Sequence, residues 1–321
     1  MLFLFVSMKH TKTITIILIT TFILSQIIGL FVVSKYLDYQ TTVETGTANF
    51  TQLPYGIERP EIEQNYTFIF ILIGVLLGTV LLLMLIKFKK TNLWKLWYAL
   101  AITLALSIAL SGFIDKIFAL IISIIISIFR IFKPNIFVNN FSELFIYGGI
   151  AAIFVPILNL FSVIMLLILI SIYDAYAVWK SKHMVKLAKF QSNSKLFAGL
   201  MIPYNKKGFK NINLNQDNEK NIKENKKSEK INEKQDKGNI AILGGGDIAF
   251  PLLFSGVIMK YLAEQGYSFI NSFLGANLIT LGSAIALTIL FIKSEKGKFY
   301  PAMPFISAGC FIGLLLVFLI F

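Results

Sequence analysis

The sequence predicts an all-α, polytopic membrane protein with nine transmembrane helices, its N-terminus in the cytoplasm and its C-terminus outside. Hydrophobic residues make up 56% of the 321 positions and charged residues only 15%, whereas soluble proteins carry about 25% charged residues. The apolar residues fall into nine runs of roughly the length that crosses a bilayer. The basic residues are concentrated in alternate connections between those runs, as expected for cytoplasmic loops.

Each predicted span has a length within the range of about 17–25 residues that a transmembrane helix requires. The stretch 144–179 is too long for one crossing, and we divide it after Pro156, because proline interrupts a helix. The nine spans are 13–34, 67–86, 93–113, 115–132, 141–157, 160–179, 240–259, 268–292 and 301–321.

The orientation follows from the distribution of lysine and arginine. With the N-terminus inside, 26 of the 30 basic residues lie on the cytoplasmic side. The bias persists when the long connection between spans six and seven is left out, with 11 basic residues inside against 4 outside. The four external ones are Lys35, Arg59, Lys116 and Lys260. We therefore expect an integral, multi-pass protein of the cell membrane with an internal N-terminus.

The connection between spans six and seven divides the chain into three parts. Residues 1–180 form a six-span part, 181–238 a flexible, basic cytoplasmic loop, and 239–321 a three-span part. From about position 190 the loop is rich in Lys, Asn, Glu and Gln, which bury too little apolar surface to fold alone. Its apolar portion, Leu196 to Pro203, is expected on the membrane surface.

Two partner classes can be judged from composition. The lysines of 210–238 have no aromatic residues between them on which bases could stack, so no nucleic-acid partner is expected. A single cysteine, Cys310, excludes an internal disulfide, and the two histidines, His10 and His183, cannot build a zinc site with it. We expect no metal and no cofactor, and the lipid bilayer as the surroundings.

Two carboxylates lie inside predicted spans: Asp174 in the sixth and Asp247 in the seventh. A central aspartate costs about 2.5–3.5 kcal/mol to insert, so such residues usually face the bundle interior and serve a function. At 1.5 Å per residue, Asp174 lies ~9 Å and Asp247 ~12 Å from the predicted cytoplasmic ends of their helices. We therefore expect the two side chains to meet. Other charged residues are expected at span ends, in contact with water: Asp115, Arg130, Glu143 and Glu264.

Two acids that meet in a low dielectric cannot both be ionised, so they share one proton. Such a pair can take a proton from an attacking water and give one to a carbonyl oxygen without any cofactor. A structural alternative is that the acids pair with lysines or adjust helix packing.

The residues around the second carboxylate favour the functional interpretation. Gly244, Gly245 and Gly246 weaken the helix and allow close backbone approach. Pro251 removes the hydrogen bond that the carbonyl of Asp247 would otherwise accept. Irregular backbone at membrane depth is tolerated only beside protein or a water-filled cavity.

At these positions the sequence resembles the presenilin and signal peptide peptidase family of intramembrane aspartyl proteases. Tyr173-Asp174, Leu243 to Asp247 (LGGGD) and Pro301 to Pro304 (PAMP) look like the YD, GxGD and PAL motifs of that family. Met303 replaces the usual leucine, a substitution of similar bulk that usually costs little. The three motifs occur in order on spans six, seven and nine.

The resemblance implies a function and a set of site residues. Asp174 and Asp247 would be the catalytic pair, and transmembrane helices of other proteins would be the substrates. A single-chain prokaryotic homologue is the simplest interpretation; accessory subunits are not implied, and homo-oligomers are left open. Residues that would support the active site and bind substrate are Tyr173, Gly244, Gly245, Gly246, Pro301, Ala302, Met303 and Pro304.

Three other interpretations stay open at this point. A prepilin or preflagellin peptidase also uses GxGD, but it has fewer spans and lacks the PAL element. A transporter or channel could use buried carboxylates and broken helices, although both acids lie towards one face. A catalytically inactive scaffold is disfavoured because both aspartates are intact.

Two GxxxG pairs, Gly74 with Gly78 and Gly309 with Gly313, predict close helix packing.

Overall fold

A computed structural model describes residues 11–88, 91–181, 197–203, 240–294 and 300–321. Within these ranges the protein is helical, as the sequence predicts, and it also contains one short two-stranded antiparallel sheet. The helices are α1 (Lys12–Tyr36), α2 (Tyr39–Thr45), α3 (Thr67–Lys87), α4 (Thr91–Ser111), α5 (Lys116–Phe132), α6 (Ile136–Phe154), α7 (Leu160–Tyr176), α8 (Gly245–Glu264), α9 (Phe269–Lys293) and α10 (Met303–Ile320). The strands are β1 (Gly199–Pro203) and β2 (Ile240–Gly244).

Eight of the described helices are long and apolar enough to cross a membrane. They correspond to eight of the nine predicted spans. The remaining one, α5, has 17 residues, which at 1.5 Å per residue gives ~25 Å, less than the ~30 Å of a bilayer core. The protein is therefore an integral multi-pass membrane protein, and the ninth crossing stays a prediction.

Side-chain caps explain where several helices begin. Asn135 and Asn159 accept hydrogen bonds from backbone N–H groups in the first turns of α6 and α7, and Ser268 does the same for α9. Asp115 caps α5 in this way. Each cap satisfies a backbone donor that has no partner inside its helix. Between α6 and α7 the chain leaves helical conformation at the predicted break beside Pro156.

The break is held by a lysine from another helix. Lys260 on α8 is 3% exposed, and its ammonium donates to the carbonyl oxygens of Pro156 (3.2 Å) and Leu158 (2.9 Å). These carbonyls lie at the end of α6, where the helix offers no internal donors. Lys260 was expected in an external loop, and the structure buries it inside the bundle instead.

Helix α8 lies at the centre of the bundle and α3 at its edge. In their most apolar stretches, 72% of α8 is buried against 6% of α3. Helices α9 and α10 approach closely, since a Cβ added to Gly309 would lie 2.3 Å from the carbonyl oxygen of Gly282. The predicted packing at Gly309 and Gly313 is therefore present. Around Gly74 and Gly78 a Cβ would meet nothing within 4 Å, so packing at that pair is not observed.

Most of the predicted loop 181–238 lies outside the described residues. The portion that is described corrects one expectation, because 199–203 forms β1 and is buried throughout instead of lying on the membrane surface. Its backbone pairs with β2, and two of its apolar side chains, Leu200 and Ile202, belong to the main hydrophobic core. Strand pairing satisfies the backbone polar groups that burial would otherwise leave unpaired.

Candidate active site

Asp174 lies in the last turn of α7, and its carboxylate is held by the beginning of α10. The side chain is 6% exposed. Its Oδ2 atom accepts a hydrogen bond from the backbone N–H of Met303 at 3.1 Å, and the N–H of Ala302 also donates to the carboxylate. Backbone donors at a helix N-terminus carry partial positive charge and bind anions. The PAL-like segment therefore holds Asp174 through its main chain.

The two prolines of this segment explain why those N–H groups are available. Helix α10 begins at Met303, so Pro301 precedes the helix and Pro304 occupies its second position. The first N–H groups of a helix have no internal partner, and proline is tolerated there for the same reason. Pro301 thus lies before the helix and Pro304 inside its first turn, where a missing N–H leaves no hydrogen bond of the helix unmade.

Asp247 lies in the first turn of α8 and closes the N-terminus of its own helix. Gly244 is the N-cap residue, and its backbone N–H donates to the carboxylate three residues later. This is the returning half of a capping box. The side chain is half-buried. Because 240–244 is a strand, Asp247 lies within the first turn of its helix, whereas the sequence predicted it about two turns after the helix start.

The two predicted catalytic aspartates lie at helix ends in the same part of the bundle. Asp174 and Asp247 are within range of each other's charge. One stands at the end of α7 and the other at the start of α8, and each accepts backbone N–H groups from a helix N-terminus. Within the described ranges, no three His, Cys, Asp or Glu side chains are grouped as metal ligands. In a low dielectric, two carboxyls within range of each other's charge cannot both be ionised.

Strand β2, which precedes Asp247, pairs with β1 along one edge, and its other edge faces away from β1. The register pairs Met201 with Ile242 and Leu200 with Leu243, and the N–H of Gly245 donates to the carbonyl of Ala198 at 3.1 Å. In antiparallel strands, hydrogen-bonded and non-hydrogen-bonded pairs alternate. The pair Met201–Ile242 is therefore non-hydrogen-bonded, and the N–H and C=O of Ile242 point away from β1. The same holds for Ile240.

A buried polar cluster, which the sequence did not indicate, lies beside the strands. Arg130 and Glu143 form an ion pair of 2.6 Å and are 3% and 2% exposed. Both were expected in contact with water at span ends. The expectation is wrong because each finds its partner on a neighbouring helix, 13 positions away in the chain. Tyr98 and Asn139 also accept from Arg130, and Tyr147 donates to Glu143.

This cluster contacts the glycine run directly. A Cβ built on Gly245 would lie 2.8 Å from the hydroxyl of Tyr147 and 3.3 Å from the carbonyl of Ala198. On Gly246 the nearest atom, at 3.6 Å, belongs to the Phe250 ring, which is an ordinary contact. Gly245 is thus required for packing in this chain, whereas Gly246 is exposed and leaves space beside Asp247.

The remaining predicted site residue, Tyr173, points towards a different helix. Its hydroxyl donates to Oγ1 of Thr79 on α3 at 3.2 Å. Two residues earlier on α7, the hydroxyl of Ser171 donates to that of Ser307 on α10 at 2.8 Å. These bonds fix α7 between α3 and α10, and so help to set the position of the Asp174 side chain.

Comparisons with known proteins address the family and the fold of the chain. The family described as signal-peptide peptidase, presenilin aspartyl protease matches residues 14–321. No curated protein is significantly similar to the chain in sequence. Two solved structures are similar in fold, both described as a presenilin family intramembrane aspartate protease. The one in space group C222 has a TM-score of 0.60 and 16% identity, over 96% of this chain and 99% of that one. The one in space group P2 has a TM-score of 0.55 and 16% identity, over 95% and 97%.

The family match covers nearly the whole chain, and the fold agrees over the same length. The family match confirms the resemblance that the three sequence motifs indicated. The protein therefore belongs to the signal-peptide peptidase and presenilin family of intramembrane aspartyl proteases.

Proposed function

We propose that Asp174 and Asp247 are the catalytic pair with which this protease hydrolyses peptide bonds in transmembrane segments. The observation that carries the proposal is the placement of two in-membrane carboxylates, at the end of α7 and the start of α8, within range of each other's charge. Each is oriented by backbone N–H groups, from Met303 and Ala302 in one case and from Gly244 in the other. Preorganised donors of this kind keep catalytic groups in a reactive geometry.

The proposed reaction is direct attack by water. One aspartate, ionised, takes a proton from the water as the water oxygen adds to the substrate carbonyl carbon. The other aspartate, protonated, donates its proton to the carbonyl oxygen. As the gem-diol collapses, one of its hydroxyl protons returns to the carboxylate that protonated the carbonyl oxygen, the C–N bond breaks, and the leaving nitrogen receives the proton that the other carboxyl took from water. Water is the only co-reactant, and the proton that the pair holds at the start is restored at the end.

A substrate helix must unwind before its peptide bonds can be attacked, and unwound backbone needs partners in a low dielectric. We propose that the unwound segment adds as a strand to the outer edge of β2, through Ile240 and Ile242. The side chain of Ile242 is 45% exposed, and its backbone polar groups point away from β1. The strand runs directly into the Gly244–Asp247 turn, so a segment bound there would reach the carboxyl pair. We propose a second edge for substrate at Lys298 to Tyr300, just before Pro301; of these three residues the structure describes only Tyr300.

The topology proposed for the protein is that of the sequence analysis. Helix α5 supplies the ninth crossing, with the N-terminus in the cytoplasm and the C-terminus outside the cell membrane. Residues 1–180 and 239–321 are two membrane parts joined on the cytoplasmic side by 181–238, of which the described strand β1 packs against the bundle. The basic-residue bias supports this orientation. We propose no accessory subunit, metal or cofactor, and leave homo-oligomerisation open.

The test is cleavage by the purified protein in proteoliposomes that contain a model single-pass substrate. We expect two products whose masses place the cut within the transmembrane segment, and we expect a transition-state inhibitor of aspartyl proteases to suppress both. A parallel measurement of ion flux addresses a transporter or channel. Flux that depends on either aspartate, without any inhibitor-sensitive product, would contradict the proposal.

A further inference from the structure

We propose that Asn140 and Asn139 are positioning residues that act as a substitute third strand on β1, an inference that rests on the proposed function. They would hold β1, and through it β2 and Asp247, in a fixed place relative to Asp174. They would also leave the outer edge of β2 as the edge open to substrate.

The first step is the contact of Asn140 with the outer edge of β1. The Asn140 amide donates from Nδ2 to the carbonyl of Met201 at 2.7 Å and accepts at Oδ1 from the N–H of Met201 at 3.0 Å. A side-chain amide has the same donor and acceptor as a peptide group. Met201 points its N–H and C=O away from β2, so Asn140 occupies the position that a neighbouring strand would take.

The second step is that this contact continues along the same edge. Asn139, which is 6% exposed, donates to the carbonyl of Gly199 at 2.9 Å. Tyr98 and Arg130 donate to the carbonyl of Phe197 at 2.9 and 3.3 Å. Helices α4, α5 and α6 thus contribute four side chains to the segment from Phe197 to Met201.

The third step connects this edge to the catalytic carboxyl. The opposite edge of the same segment bonds to β2, and the carbonyl of Ala198 accepts from the N–H of Gly245, two residues before Asp247. The Asn139 amide is itself fixed, because its Oδ1 accepts from Arg130 at 2.6 Å. Displacement of β1 would therefore displace β2 and Asp247, while Asp174 stays with α7 and α10. A misplacement of about 1 Å can cost about 100-fold in rate.

The choice of edge has a consequence for specificity. A substrate strand could in principle add to either side of a two-stranded sheet. Because asparagine side chains cover β1, a substrate strand finds on β2 the edge whose backbone groups no described residue pairs. The strand that binds substrate is then the strand that carries Asp247, which fixes the register between the scissile bond and the carboxyl pair.

The decisive variant is Asn140→Asp, compared with Asn140→Ala. Aspartate has the shape of asparagine, but it lacks the donor and places negative charge against the Met201 carbonyl. We expect both variants to lower kcat about 10- to 100-fold, with a smaller change in KM, and to spread the cut over neighbouring peptide bonds, as seen by product mass. The matched controls are Asn277→Asp and Asn277→Ala. Among the described residues, the Asn277 amide bonds only the Phe273 carbonyl of its own helix, at 2.7 Å. We expect wild-type kcat and cut position from both controls.

A second readout needs no turnover. Hydrogen exchange followed by mass spectrometry on peptides that contain Met201 and Gly245 should be faster in Asn140→Asp than in the wild type. Unchanged exchange, kcat and cut position would overturn the proposal. A loss of stability alone would also overturn it. In that case Asn140→Asp melts at a lower temperature, but its folded molecules, counted by stoichiometric inhibitor binding, keep the wild-type kcat and cut position. A wild-type protein that cleaves nothing would instead contradict the proposed function, and the exchange measurement would still decide the role of Asn140.

Discussion

Met303 donates its backbone N–H to Oδ2 of Asp174 at 3.1 Å, across 129 positions of the chain. The bond joins the start of α10 to the end of α7 and makes the main chain, not a side chain, the support of the carboxylate. Hydrogen bonds to charged groups are worth about 1.5–3 kcal/mol, so their loss would strongly affect the geometry of the pair.

The two prolines of the PAL-like segment should therefore act redundantly. Proline inside a helix clashes with the carbonyl four residues earlier, so Pro301 and Pro304 each prevent α10 from extending backwards. In the double variant Pro301→Ala, Pro304→Ala, an extended helix would pair the N–H groups of Ala302 and Met303 internally. We expect the double variant to lose at least about tenfold in kcat, while each single variant stays close to the wild type. Steady-state kinetics in proteoliposomes provide the measurement, and wild-type kcat in the double variant would contradict this role.

The outer edge of β2 can be tested with proline as a backbone probe. Ile242→Pro removes an N–H that points away from β1, and proline is tolerated on the free edge of a strand. We expect kcat/KM to fall at least about fivefold, because one backbone bond to substrate is lost, with little change in melting temperature. Ala241→Pro is the comparison, since Ala241 pairs with Ile202 in the ladder with β1, and it should destabilise the protein. Unchanged kcat/KM in a folded Ile242→Pro variant would show that substrate does not bind this edge.

The pH dependence of cleavage should pass through a maximum. The reaction requires one proton on the carboxyl pair, so activity falls when both groups are protonated and again when both are ionised. We expect a bell-shaped plot of kcat/KM against pH, and we expect EDTA to leave it unchanged. A single rise to a plateau, or inhibition by EDTA that zinc reverses, would contradict a shared-proton mechanism.

The proposed orientation predicts which side of the membrane exposes the long connection. Residues 205–237 are outside the described ranges, and their lysine-rich sequence suggests an accessible cytoplasmic segment. Protease added to inside-out vesicles should cut there first and give two membrane-embedded fragments. Protection in those vesicles, with cutting in right-side-out vesicles, would reverse the topology.

The sequence predicts the helices well because each span is a long apolar run with polar ends. Predicted and observed bounds differ most at α8, where Ile240 to Leu243 is as apolar as the helix that follows. The pairing that makes these residues a strand involves Gly199–Pro203, from a stretch expected to lie on the membrane surface. Because the two strands are about 40 positions apart in the chain, their pairing leaves no pattern of apolar residues near Ile240 that would predict a strand.

Contacts between helices could not be predicted for a related reason. Gly74–Gly78 and Gly309–Gly313 have the same spacing, but protein packs only around the second pair, since the pattern does not distinguish a protein neighbour from lipid. Arg130 was expected in water because it stands near a span end. Its burial depends on Glu143, and no sequence rule pairs two particular charges across helices. The two aspartates were identified because a charge inside an apolar span is itself a signal.

The central claim is that Asp174 and Asp247 act as one catalytic unit, and asparagine substitution tests it most directly. Asp174→Asn and Asp247→Asn keep the side-chain shape but remove the carboxyl that the pair needs to share a proton. Each variant should keep the wild-type melting temperature and lose essentially all cleavage of the single-pass substrate, and the double variant should be no worse than either single one. Retention of more than a small fraction of wild-type kcat in either purified, folded variant would contradict the account.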